Sequence, residues 1–66
     1  MDVKYPEIVV PLSDKDDNAF AIIGRVCKAL RRGGVAGAEI EAFTAEATSG
    51  DYDTVLRTAM RWVGTT

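Results

Sequence analysis

Histidine is absent from this 66-residue chain and cysteine occurs once, at Cys27. Those two shortages exclude an internal disulfide and the common zinc sites, which draw on several Cys or His ligands. No apolar run approaches the roughly 20 residues of a membrane-spanning helix, and the N-terminus lacks the basic-then-apolar order of a signal peptide. Base is also scarce: 8 Lys and Arg against 10 Asp and Glu leave a net charge of -2, which argues against a nucleic-acid binder with a wholly basic surface. The lone cysteine falls on the apolar side of a predicted helix, where a thiol is expected to act as a small buried hydrophobe and not as a nucleophile. It also suggests a reducing, cytoplasmic setting.

A chain this short sits at the low end of independent stability, burying only about 60% of the surface it exposes when unfolded. Without disulfide or zinc, regular helix packing or self-association must supply the stability. The charges arrive in blocks. Residues 1 to 24 hold five acids and two lysines, residues 25 to 32 hold four bases and no acid, and residues 33 to 53 hold five acids and no base.

Residues 1 to 12 carry both prolines, in Tyr5-Pro6 and Val10-Pro11, around Glu7-Ile8-Val9-Val10. Proline fixes its own backbone and turns the preceding residue toward extended conformations, so an extended N-terminal arm with a short edge strand is expected. Three roles are open to it: covering the helical core, pairing with a second copy to give a homodimer, or staying loose. The acid-rich turn Ser13 to Asn18 then precedes a helix whose amides its oxygens can cap. A calcium loop on Asp14, Asp16 and Asn18 is disfavoured, because Ala19 holds the EF-hand glycine position and Arg25 the bidentate glutamate position.

Residues 13 to 66 read as a compact, mainly α, three-helix bundle. The first helix runs from about Asn18 to Arg32, with Phe20, Ile22, Ile23, Val26, Cys27, Ala29 and Leu30 on one arc and Arg25, Lys28, Arg31 and Arg32 on the other. Gly33-Gly34 supplies its left-handed cap. The second, about Ala36 to Thr48, has a stripe of Ala36, Ile40, Phe43 and Ala47 and an outer side of Glu39, Glu41 and Glu46. The third, about Asp51 to Val63, begins at carboxylates and places Tyr52, Val55, Leu56, Ala59 and Val63 on one face, flanked by Met60 and Trp62.

No catalytic, cofactor or metal site emerges. Glu39 and Glu46 share a helix face, but paired carboxylates perform acid and base chemistry only where a pocket raises one pKa, and helix solvation accounts for both. Candidate partner-binding residues are Asp51, Tyr52 and Asp53, at the start of the third helix, and Trp62, a residue type enriched among interface hot spots. The competing role for Trp62 is to close the core against the arm or the first helix. The stripe Arg25, Lys28, Arg31 and Arg32 is the alternative, nucleic-acid-binding surface; its plainer explanation is a solvated face paired with Glu39, Glu41, Glu46 or the acidic turn. The last two helices have the outline of a helix-turn-helix, yet Asp51 and Asp53 would meet phosphates with like charge.

The run Asn18-Ala19-Phe20, Gly24-Arg25-Val26, Ala29-Leu30-Arg31-Arg32, Ala38-Glu39-Ile40, Ala42-Phe43, Glu46-Ala47-Thr48-Ser49-Gly50-Asp51-Tyr52-Asp53 and Met60-Arg61-Trp62-Val63 resembles a family of small uncharacterised proteins from actinobacteria and their bacteriophages. The resemblance covers about residues 8 to 63, with the segment Glu46 to Asp53 most specific, and it implies a context without a chemistry. This chain departs from the family pattern at Asp17, where glycine is common, and at Thr54, where histidine is common. The expectation is a non-enzymatic protein-interaction module in the cytoplasm, phage-encoded and directed at an unidentified host protein. Nucleic-acid binding is the alternative.

Overall fold

The computed structural model describes residues 3–12 and 18–66. In chain order these form β1 (Tyr5–Val10), α1 (Ala19–Arg32), α2 (Gly37–Ala47), α3 (Tyr52–Trp62) and β2 (Val63–Thr65). The molecule is mainly helical, with one two-stranded sheet. Its radius of gyration, 10.6 Å, matches the about 11 Å expected of a compact chain of this length. Among the described residues no helix is long and apolar enough to cross a membrane. The calcium-loop positions Asp14 and Asp16, and the family departure at Asp17, lie outside the described residues.

Each helix ends for a local reason. Asn18 caps α1 by accepting a 2.8 Å hydrogen bond from the Phe20 N–H. At the other end the Val35 N–H donates to the Leu30 carbonyl and the Gly34 N–H to the Arg31 carbonyl, a Schellman closure with Gly34 at φ +84°. A side chain at Gly33 would also strike Ile8 Cδ1 at 2.6 Å, so this glycine pair both stops α1 and lets β1 approach it. Ala36 caps α2 without a side-chain bond, and Asp51 caps α3.

β1 and β2 run parallel, which requires a long crossover, here the three helices. The partners are Tyr5 with Val63, Val9 with Gly64 and Val10 with Thr65, and the register shifts between Tyr5 and Val9. That irregularity begins at Pro6, which has no N–H to give a ladder. The N-terminal segment therefore pairs within its own chain, with a terminal strand that begins at Val63, the expected last residue of the third helix.

The three helices all pack against one another, and β1 also rests on α1. Phe43, Leu30, Val26, Val10 and Val63 are the largest fully buried apolar side chains, joined by Ile22, Ile23, Ile40, Val55 and Trp62. Three expected core positions are corrected. Phe20 is 76% exposed, since it lies about 100° round α1 from the centre of the buried stripe. Ala36 is exposed because it precedes α2. On α3 the buried face is Val55, Thr58, Ala59 and Trp62, rotated away from Tyr52. Thr58 explains that rotation: a polar residue was not counted as core, yet it is fully buried.

Among the described residues the Thr58 hydroxyl has no hydrogen-bond partner. A buried unsatisfied hydroxyl costs about 1–3 kcal/mol, so Thr58→Val, which keeps the shape, is expected to raise the melting temperature. Thermal denaturation followed by circular dichroism checks this; a lower melting temperature would mean that the hydroxyl is bonded in solution.

Candidate functional site

The beginning of α3 is organised by its own residues. Asp51 Oδ1 accepts from both the N–H and the hydroxyl of Thr54, each at 3.1 Å, and these bonds, the backbone one first, hold its carboxyl below the usual carboxylate range. Asp53 pairs with Arg57 one turn on, at 2.9 Å. Both carboxylates of the candidate partner-binding tip thus have local structural roles. Tyr52, between them, is 42% exposed.

Beyond Tyr52, every fourth residue continues an apolar stripe. Leu56 is half-buried against the core, and Met60 is 55% exposed. Tyr52, Leu56 and Met60 thus occupy one flank of α3, rimmed by the Asp53–Arg57 pair. The spacing of four was present in the sequence, but assigning Tyr52 and Leu56 to the core hid the stripe.

Trp62 does not belong with this tip. It lies ten positions further along α3, about 15 Å down the helix axis, and is only 6% exposed. Its ring meets Phe43 edge-on at 5.6 Å and Tyr5 at 6.1 Å, while the Lys4 ammonium stands 4.3 Å above it. The indole N–H points to the Glu46 carboxylate at 3.4 Å, which also accepts from Arg61 at 2.9 Å. The Trp62 side chain is thus covered by Lys4, Tyr5 of β1, and Phe43 and Glu46 of α2, the core-closing role weighed above.

Glu39 and Glu46 lie on either side of this indole, each with its own cation. Lys4 binds Glu39 at 2.6 Å and Tyr5 donates to the same oxygen at 3.1 Å. The Lys4 bond, then the Tyr5 bond, lowers the Glu39 pKa, whereas a general acid needs the opposite shift. The Glu39 bond raises the Lys4 pKa, and burial, followed by the Glu39 bond, raises that of Tyr5. The signs give a two-sided pH profile. The depressed carboxyls of Glu39 and Asp51 stabilise the fold above their unfolded pKa values and lose that effect as pH falls through their folded ones. The raised Lys4 and Tyr5 groups stabilise it below their unfolded pKa values and lose that effect as pH rises past their folded ones. Stability is expected to decline at both ends, and Glu39→Gln to flatten the acid side; an unchanged acid limb would place the acid-sensitive group elsewhere.

The basic stripe lies on the far side of α1. Arg25 donates to the Pro11 carbonyl at 3.1 Å. Among the described residues Lys28, Arg31 and Arg32 have no hydrogen-bond or ion-pair partner: of the acids expected to pair with them, Glu39 holds Lys4, Glu46 holds Arg61, Glu41 pairs with none of them, and Asp14, Asp16 and Asp17 of the acidic turn lie outside the described residues. A shallow groove of about 260 Å³ separates this wall from β1. Cys27, half-buried, touches the Thr44 hydroxyl at 3.4 Å. Among the described residues no cluster of His, Cys, Asp or Glu could hold a metal ion.

Comparison with protein-family models, curated proteins and solved structures gives no match.

Proposed function

We propose that the chain is a small, non-enzymatic protein-interaction module that offers the Tyr52–Leu56–Met60 flank of α3 to a partner protein. The observation that carries this is the exposure of Tyr52 and Met60, two turns apart, with Leu56 half-covered between them. Anchors at this spacing suit a helix that lies in an apolar groove of another protein, and methionine adapts to irregular surfaces. Asp51, Asp53 and Arg57 supply a polar rim. The resemblance supports a setting in which the protein is phage-encoded and acts on a host protein in the host cytoplasm.

Nucleic-acid binding by Arg25, Lys28, Arg31 and Arg32 is the rival, favoured by Lys28, Arg31 and Arg32, which have no partner among the described residues. Affinity capture of the tagged protein from its native host, with and without nuclease, separates the two. A protein retained through nuclease treatment and lost with Tyr52→Ser/Met60→Ser is the expected result. Recovery that disappears with nuclease, or with Lys28→Glu/Arg31→Glu/Arg32→Glu alone, would transfer the function to the basic stripe.

A further inference from the structure

The groove between β1 and α1 has two unlike walls. Arg25, Lys28 and Arg32 line one side, at spacings of three and four residues, so the cations share a face and span about 10 Å along the axis. Val9, Val10 and Pro11 line the other, with Ala29 between. The β1 backbone adds direction. The Val10 carbonyl accepts from the Thr66 N–H, and the Leu12 N–H donates to the Thr66 carbonyl, so these groups face β2. Alternation along the strand turns the peptide groups of Val9 and Pro11 to the opposite edge. The bond from Arg25 to the Pro11 carbonyl identifies that edge as the groove side. Val9 thus offers an N–H and a C=O there, while Pro6 and Pro11 have no N–H to extend a ladder.

We infer that this groove binds a short, extended, acidic segment of a partner protein, on a surface separate from the α3 stripe. Carboxylates of the segment meet Lys28 and Arg32, its backbone makes a brief contact at Val9, and an apolar side chain lies over Ala29. Charge complementarity selects the ligand: among the described residues Lys28 and Arg32 have no ion-pair partner, while Glu39 and Glu46 are engaged with Lys4 and Arg61. A nucleic-acid strand fits less well. Among the described residues the groove lining has no aromatic on which a base could stack, and the chain as a whole is acidic.

The test is fluorescence anisotropy with a fluorescein-labelled peptide of alternating glutamate and leucine, set against its lysine-leucine counterpart and labelled oligo(dT). Amide shift mapping on the full chain accompanies it. The acidic peptide should bind, shift the amides of Val9, Val10 and Ala29, and release as salt is added. Lys28→Glu/Arg32→Glu, changed at two exposed positions, should weaken it about tenfold or more. Circular dichroism confirms that this variant is folded. Tyr52→Ser/Met60→Ser should leave peptide binding intact, so failure of the groove and failure of the α3 surface are told apart. The inference is overturned if the acidic peptide does not bind, if the double charge reversal leaves its affinity unchanged, if the shifts fall elsewhere, or if oligo(dT) binds in preference to it.

Discussion

Phe43→Ala is expected to leave the protein largely unfolded at room temperature. Phe43 is fully buried on α2 and packs edge-on against Trp62, so truncation removes a large apolar surface and opens a cavity at the centre of the core. Such changes cost about 3–5 kcal/mol. At about 0.05–0.15 kcal/mol per residue, the whole chain has only about 3–10 kcal/mol to lose. Urea denaturation followed by the fluorescence of Trp62, the single tryptophan, checks this. Glu41→Ala, exposed on the same helix, should move the midpoint little. A Phe43→Ala midpoint close to that of the parent would mean that the core is not centred on α2.

Val10→Asp should be as damaging, for a different reason. Val10 is buried on β1 beneath α1 and beside β2, and a carboxylate there would lose its hydration with no partner to replace it. Burial of an unpaired charge costs several kcal/mol or forces the group to take up a proton. Val9→Asp, one residue earlier and exposed, is the control. Loss of the cooperative melt with Val10→Asp but not with Val9→Asp is the expected pattern. Equal tolerance of both would mean that the first strand is a loose arm and that the helices stand alone.

What could be read from the sequence follows the range of the forces involved. α1 was legible because its 3.6-residue periodicity, the Asn18 cap and the Gly33-Gly34 stop are all local. The same holds for Asp51 as a cap. β2 was not legible: three residues carry no period, and their partner lies at the opposite end of the chain. Local pattern also misjudged α3, where buried Thr58 and Trp62 turn the helix so that Tyr52 faces outward.

The candidate site divides in the same way. The four-residue spacing of Tyr52, Leu56 and Met60 and the clustering of Lys28, Arg31 and Arg32 could be read from the sequence, but not the outward turn of Tyr52. The removal of Trp62 from the surface could not. It depends on Lys4 and on Tyr5 of β1 reaching across to the ring and on Glu46 turning to the indole from α2. Nor could the pairing of Glu39 with Lys4, which takes one acid of the next helix away from the bases of α1.

The most direct measurement of the interaction-module reading is photocrosslinking in the native host with benzoyl-phenylalanine in place of Met60, and separately in place of Glu41 and Lys28. A single protein adduct formed from the Met60 position and absent from the Glu41 position is the expected result. No protein adduct from Met60, with nucleic acid crosslinked from Lys28 instead, would contradict it.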